Sequence, residues 1–358
     1  MLQPTLMPDE ATMYRAFVER DASYEGLYLT AVRSTGIFCR NRCPARKPKR
    51  DNVEFFPRAG DALAAGYRPC KRCRPMEPQG AFPAWLQPLM AAVDADPARR
   101  WTGEDIRGAG VDPTRVRRWF QATHGMTFLA YLRARRLGRA FSRLQEGAPV
   151  LEASLEADFD SVSGFCAALH KRAGVSPRAV RTQRALRVAQ FASPLGPLMV
   201  AGDEAAVHLV EFWDRRMLET QFAALEKRLG AVFFPGTTAP IAQLESELEA
   251  YFRGERTRFA TPLELTGSPH QETVWRALLE VPAGETWTYG ELAARVGKPS
   301  AVRAVARAVG ENRLAIVVPC HRIVGADGQL TGYGGGLWRK RHLLALERGE
   351  GAPRPTPG

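Results

Sequence analysis

Two close cysteine pairs, Cys39-x3-Cys43 and Cys70-x2-Cys73, constrain this chain more than any other feature. Each pair lies among turn formers and basic residues: Arg40, Asn41, Arg42 and Pro44 around the first, Pro69, Lys71 and Arg72 around the second. Two such knuckles can bring four thiolates to the corners of a tetrahedron, the arrangement that Zn²⁺ prefers. Residues Cys39, Cys43, Cys70 and Cys73 are therefore expected to fold around one zinc ion, with free buried cysteines as the alternative. A disulfide scaffold is not expected from six cysteines in 358 residues. Four thiolates leave zinc no open position for water, which excludes a zinc hydrolase. Spacing alone favours a purely structural metal. The basic run Arg40, Arg42, Arg46, Lys47, Lys49 and Arg50 shifts that balance, because cations tethered to a rigid metal site can contact phosphates.

The stretches Arg33-Ser34-Thr35-Gly36-Ile37-Phe38-Cys39-Arg40 and Ala64-Ala65-Gly66-Tyr67-Arg68-Pro69-Cys70-Lys71-Arg72-Cys73 resemble the N-terminal domain of the Ada adaptive-response proteins. The resemblance implies that Cys39 accepts a methyl group from a methyl phosphotriester, with DNA contacts at Thr35, Arg46 and Arg68. A further, usually basic, contact falls on Pro44, which cannot serve; Arg42 is the neighbouring substitute. Charge supports the chemistry independently. Zinc with four thiolates carries −2, repelling phosphodiesters while a neutral triester can approach. Methylation of Cys39 leaves −1, and one unit charge at ~4 Å from a phosphate is worth up to about 4 kcal/mol at an effective dielectric of ~20.

Lys and Arg exceed Asp and Glu enough to give a formal charge of +12, which points to a polyanionic partner, nucleic acid or an anionic membrane. No stretch reaches the ~18 apolar residues of a membrane span. The first residues lack the basic start and apolar run of a signal peptide. A cytoplasmic, nucleoid-associated protein with no membrane partner follows as the expectation. Composition divides the chain into 1–77 (zinc), 83–184 (helical and Arg-rich), 187–265 (short alternating strands, then helices) and 266–350 (helical). Residues 75–83 read as a Pro/Gly linker, and 349–358 as a disordered tail. Together these give a multidomain α+β fold: a small zinc-binding domain, an all-α middle, a β-sheet subdomain and a helical active domain.

In the middle, Asp112-Pro113 is a helix start, an N-cap followed by proline at the first helical position. The helix it opens carries Arg115, Arg117 and Arg118 on one side and Val116, Trp119 and Phe120 on the other. Helix, turn and basic helix form a helix-turn-helix pattern whose second helix can enter the major groove. A solvated surface helix is the bland alternative. Trp119-Phe120-Gln121-Ala122-Thr123-His124-Gly125-Met126-Thr127 and Gly174-Val175-Ser176-Pro177-Arg178 resemble the AraC-type DNA-binding domain, which carries two such motifs. Two departures stand out: the stretch Trp101–Gly110 is one residue short in the first helix, which Gly103 and Gly108 also weaken, and Asp158 replaces the glycine usual before Phe159. Cys166 lies in an apolar run and reads as a core residue.

Near the C-terminus, the apolar run Leu314-Ala315-Ile316-Val317-Val318 leads into Pro319-Cys320-His321-Arg322. A thiolate is the reactive form of cysteine, and a nearby imidazole favours it. A lone Cys-His pair is nonetheless weak evidence, and a buried structural cysteine is the competing reading. The wider stretch from Trp287-Thr288-Tyr289-Gly290-Glu291-Leu292-Ala293 to Glu347 resembles the active domain of O6-alkylguanine-DNA alkyltransferases. The resemblance implies Cys320 as acceptor, Asn312 as hinge asparagine, Arg303 as finger arginine and Tyr289 as the tyrosine that helps rotate the nucleotide. Glu347 is then the acid that orients His321, and Tyr333, Gly334 and Gly335 belong to the base pocket. A serine common in some relatives is replaced by Gly334. A second helix-turn-helix, 290–296 and 301–309, places Ala301, Ala304 and Ala308 on a small-residue face flanked by Arg303 and Arg307. The target atom lies inside the duplex, so the base must flip out.

The chain thus reads as a single-use DNA repair methyltransferase with acceptors Cys320 and Cys39, the latter switching sequence-specific DNA binding. Its expected partners are double-stranded alkylated and promoter DNA, with RNA polymerase as the further partner of an activator. Zinc is the expected cofactor, no organic cofactor is expected, and monomer is the default. A regulator with an inactive terminal domain is the competing class; Cys320, His321, Asn312, Arg303 and Glu347 argue against it.

Overall fold

A computed structural model describes residues 8–21, 24, 28–57, 59–73, 75, 82–124, 126–215 and 217–350. The expected linker at 75–83 and tail at 349–358 lie largely outside them. The chain opens with α1 (Glu10–Glu19), capped by Asp9, whose carboxylate accepts the Thr12 N–H at 2.9 Å. A four-stranded sheet follows, built from β1 (Leu29–Val32), β2 (Ile37–Cys39), β3 (Val53–Phe56) and β4 (Arg68–Pro69) in the order β3-β1-β2-β4, with α2 (Ala59–Ala64) before β4. Its apolar clusters are small: Phe17 and Val53 with Cys39, Cys43 and Cys70 in one, Ala31, Phe38 and Ala62 in another. A unit of this size has little surplus stability, and a metal is an ordinary supplement to its core.

The helical middle comprises α3 (Gln87–Ala95), α4 (Gly103–Gly108), α5 (Pro113–His124), α6 (Phe128–Gln145), α7 (Val150–Glu156) and α8 (Val162–Ala173). Helix α6 belongs to two cores. Its first half places Phe128, Tyr131 and Leu132 against Val116 and Phe120; its second half places Leu137, Phe141 and Leu144 against Phe165 and Leu169. The two glycines and Asp158 are each accommodated. Gly103 and Gly108 fall at the ends of α4, where a capping box between Thr102 and Asp105 compensates. Asp158 adopts a left-handed φ of +61°, and Arg100 holds both its carboxylate and, at 3.0 Å, its carbonyl.

The second helical core continues into the next sheet through Val232 and Phe234. That sheet consists of β5 (Arg184–Phe191), β6 (Leu198–Gly202), β7 (Val207–Phe212) and β8 (Ala231–Pro235) in the order β7-β6-β5-β8. Within this sheet β5 and β8 pair in parallel, and β5–β6 and β6–β7 pair antiparallel. Helices α9 (Leu218–Leu229) and α10 (Ala239–Phe252) flank it. The rest is α11 (Pro269–Leu278), β9 (Trp287–Thr288), α12 (Tyr289–Arg295), α13 (Val302–Gly310), β10 (Ile323–Val324) and α14 (Leu337–Glu347).

Strand β7 binds the sheet to the segment that precedes Cys320. The Val210 N–H donates to the Arg313 carbonyl and the Ala315 N–H to the Val210 carbonyl, both at 2.8 Å. Val207, Val210 and Phe212 share one core with residues 314–318. That apolar run is a buried loop, not a strand, and Ile316 has φ +72°. A β-branched residue in the left-handed region is strained, and it persists only where surrounding packing over-determines it.

Candidate alkyl-acceptor sites

Cys320 begins a short 3-10 turn after Pro319 and is 8% exposed. The Asn312 amide donates to its sulfur at 3.2 Å and to the Val318 carbonyl at 2.9 Å, while the Asn312 oxygen accepts the Leu314 N–H at 3.0 Å. One side chain therefore ties the end of the strained loop to the sulfur. Burial pushes the thiol up from its ordinary value; the Asn312 hydrogen bond and the Arg215 and Lys340 charges pull it back.

His321 is wholly buried, and its Nε2 lies 2.8 Å from the Glu347 carboxylate. Its Nδ1 is buried with no protein partner. Burial pushes the imidazole below its ordinary value against the attraction of Glu347. Burial would raise the Glu347 carboxyl, but hydrogen bonds from His321 and Arg322 outweigh it and hold it well below the usual range. Glu347 also accepts from Tyr251 at 2.8 Å. The sequence marks Arg322 only as part of the Pro319–Arg322 motif. No local pattern marks Tyr251 or Lys340, which reach the site from α10 and α14.

A cavity of about 730 Å³ opens beside the sulfur, lined by Cys320, Tyr289, Tyr333, Gly334, Gly335 and Arg215. Tyr289 starts α12 behind a capping box of Thr288 and Glu291. Burial raises both phenols, so each stays protonated at neutral pH. Gly335 packs under the Phe212 ring, where an added Cβ would come within 2.7 Å. On α13, Arg303, Ala304 and Arg307 are exposed, with Arg307 paired to Glu311 at 2.9 Å. The alanine face is narrower than expected: Ala308 is buried and its carbonyl accepts the Trp275 indole N–H at 2.8 Å. The face open to a groove is the row Arg303, Ala304, Arg307.

At the other end of the chain, the sulfurs of Cys39, Cys43, Cys70 and Cys73 lie within 4.8 Å of one another. Cys43 and Cys70 are 3.8 Å apart. Zn–S bonds of about 2.3 Å at tetrahedral angles put sulfurs about 3.8 Å apart, so the cluster fits zinc. Sulfur–sulfur hydrogen bonds with Cys43 push the Cys39 thiol up, and the same contacts with Cys39 pull Cys43 down. A central cation removes that conflict. Cys39 is 5% exposed. Thr35 is exposed in the β1–β2 turn and Arg68 in β4, adjacent because the Arg68 N–H donates to the Gly36 carbonyl at 2.7 Å. Arg46 is exposed on the loop after Cys43. Not all of the basic run faces solvent: Lys47 donates to the Asn41 carbonyl at 3.0 Å and stacks on Phe17, and Arg50 pairs with Glu10. Arg115, Arg117 and Arg118 are exposed on α5, with Arg115 lying over the Trp85 ring.

Four family models match consecutive stretches: the metal binding domain of Ada over 12–76, a helix-turn-helix domain over 107–183, and the ribonuclease-like and DNA binding domains of 6-O-methylguanine DNA methyltransferase over 186–265 and 269–349. The bifunctional transcriptional activator/DNA repair enzyme Ada of Escherichia coli is 35% identical, covering 97% of this chain and 98% of its own. A methylated-DNA–protein-cysteine methyltransferase of Mycobacterium leprae is 46% identical over 44% of this chain and 88% of its own. The crystal structure of Mycobacterium tuberculosis OGT in complex with DNA shares 41% identity, covering 47% of this chain and 96% of that one, with a TM-score of 0.40.

Proposed function

The chain belongs to the Ada family of bifunctional transcriptional activators and DNA repair enzymes, and from that membership we propose that Cys320 and Cys39 are two single-use methyl acceptors with different lesions. The protein is a DNA repair methyltransferase with a zinc-binding domain and a DNA-binding helix-turn-helix region. The observation that carries the reading for Cys320 is the relay behind it. Glu347 accepts from His321 Nε2, which leaves Nδ1 as the buried nitrogen without a protein partner. In this reading the Cys320 proton passes to that nitrogen through one water. The thiolate then attacks the alkyl carbon of O6-alkylguanine in line: a C–S bond forms as the C–O6 bond breaks. The proton returns to guanine, which leaves as its neutral base.

The product is a thioether without an easily displaced leaving group, so each Cys320 acts once. Arg303, exposed on α13, fills the gap left by the extruded nucleotide, and Tyr289 and Tyr333 line its cavity. In the N-terminal domain Cys39, Cys43, Cys70 and Cys73 hold the zinc, which when bound keeps the thiols deprotonated. Thr35, Arg46 and Arg68 hold the DNA backbone while Cys39 takes the triester methyl. Loss of one negative charge there strengthens DNA binding through this domain and through Arg115, Arg117 and Arg118. We further infer a cytoplasmic protein that works on the nucleoid as a monomer and contacts RNA polymerase. Mass spectrometry of the full chain after exposure to O6-methylguanine duplex is the test. A one-methyl gain on the Cys320 peptide, lost in Cys320→Ala and kept in Cys39→Ala, is expected; no gain on Cys320 refutes the assignment.

A further inference from the structure

The turn after β7 carries two consecutive charged residues that both leave the sheet subdomain for the active domain. Asp214 accepts from both ends of the Arg339 guanidinium of α14, each at 2.9 Å. Arg215 reaches the other way. Its Nη1 donates to the Asn312 carbonyl at 2.9 Å, and its Nη2 to the Gly310 carbonyl at 2.6 Å. Glu211 pairs with it and is itself fixed by the Phe212 N–H at 3.0 Å. The Arg215 and Glu211 side chains are 5% and 1% exposed. A buried ion pair adds little net stability over apolar residues of the same volume, so stability alone does not explain one beside the nucleophile.

Two observations do. Gly310 ends α13, and Asn312 is the residue whose amide donates to the Cys320 sulfur at 3.2 Å. Arg215 therefore grips the backbone of the residue that holds the nucleophile. In addition, a Cβ on Gly334 would lie 2.6 Å from the Arg215 Cζ and 2.7 Å from its Nε. The guanidinium occupies the space into which a side chain at position 334 would project, in the wall of the cavity that also holds Cys320, Tyr289 and Tyr333.

We propose that Arg215 is a positioning residue for alkyl transfer, holding the Asn312 amide against the Cys320 sulfur and forming the pocket wall above Gly334. The proposal rests on the reading of Cys320 as the acceptor. Arg215 and Lys340 favour the thiolate, and Glu211 offsets part of the Arg215 charge. Tyr289 and Tyr333 face the same space, His321 packs edge-on behind the Tyr333 ring, and Glu19, Arg20, Asp21, Asp214 and Arg339 border the cavity.

The test is single-turnover methyl transfer by the full chain from a duplex with one O6-methylguanine, followed across DNA concentration and from pH 6 to 9. The double variant E211Q/R215Q removes the pair together and strands no buried charge. Its maximal rate constant is expected to fall roughly tenfold at pH 7, as for loss of one hydrogen bond to a charged group. The DNA concentration at half-saturation should stay unchanged, and the rising limb of the pH profile should move to higher pH. R215K should restore the limb and part of the rate; if the double variant does not fold, R215K alone decides, with a reduced maximal rate as the expected result. G334S should slow the wild-type background and cost little in E211Q/R215Q. An unchanged maximal rate and pH limb, or a loss seen only in half-saturation, overturns the proposal; additive effects of G334S overturn its pocket-wall half. Methyl found elsewhere than on Cys320 in the parent chain would instead remove the underlying reading.

Discussion

Replacing Glu347 by Gln tests the buried charge cluster behind Cys320, because the change keeps the shape of the side chain and removes its charge. The carboxylate is fully enclosed and receives His321 at 2.8 Å, Arg322 at 2.8 and 2.9 Å, Tyr251 at 2.8 Å and the Gly284 N–H at 3.3 Å. At 2.8 Å and an effective dielectric of ~20, one charge pair is worth about 6 kcal/mol gross. Breaking a buried pair while Arg322 stays charged costs about 3–5 kcal/mol net. The glutamine NH₂ must also face either Arg322 or His321, and both are donors. The alkyltransferase part should therefore lose roughly 10 °C of thermal tolerance. Mass spectrometry after graded heating reads this directly as residual methyl transfer, with Cys39 as the internal reference whose curve should not move. The pH dependence has a definite sign. Glu347 sits below its unfolded value of ~4.3, so its contribution is complete above that pH and is lost as pH falls through the depressed folded value. His321 is depressed by burial, so acid below ~6.5 also destabilises by charging the unfolded chain. The gap between parent and variant should be complete at pH 7 and shrink below ~4.3. A variant with the parent's heat curve, or a gap that does not shrink in acid, refutes the reasoning.

Gly138→Ala should destabilise by about 1–3 kcal/mol, because its Cβ would lie 2.7 Å from Phe234 and would also meet Arg187 where α6 packs on β8; thermal unfolding checks it. Chelation of zinc should abolish transfer to Cys39 and leave transfer to Cys320 intact, read by mass spectrometry of the two peptides. Methylation of Cys39 should raise affinity for operator DNA by tenfold or more, the Coulomb gain being up to about 4 kcal/mol; equal affinity of the two forms in gel-shift titrations sinks the charge switch. Arg303→Ala should slow repair of O6-methylguanine in duplex DNA more than reaction with the free base, and equal slowing would mean that Arg303 does not support an extruded nucleotide.

Features held by spacing were legible in the sequence. The cysteine knuckles and the Asp112-Pro113 helix start each specify local geometry, and each forms. Asp112 accepts the Arg115 N–H at 2.6 Å, as its N-cap position requires. Legibility ended where a side chain's partner lies far away in the chain. Nothing near Lys47 reveals that it will stack on Phe17, and nothing near Ala308 that Trp275 will cover it. Arg215 was invisible for the same reason: its partners Gly310 and Asn312 are brought to it by the pairing of β7 with the Arg313–Ala315 backbone. The Ile316 conformation also eludes periodicity, because an apolar run reads alike as a buried strand or a buried loop.

On the proposed assignment, the two acceptors meet the need for a reactive thiolate in opposite electrostatic settings, and this would separate their lesions. Cys320 is enclosed among apolar residues, where burial opposes the charged form and Asn312, Arg215 and Lys340 restore it locally. Such a thiolate is reached only by a group that enters a cavity of about 730 Å³, so shape selects its substrate. Cys39, no less buried than Cys320, instead belongs to a cluster of four sulfurs of which Cys73 is partly exposed. With zinc bound, four thiolates would leave excess negative charge there, which opposes phosphodiesters and lets a neutral triester approach. A chain with a net charge of +12 is drawn to all duplex DNA alike, and general attraction cannot tell one lesion from another. Discrimination has to come from the last few ångströms around each sulfur, by enclosure at one and by repulsion at the other.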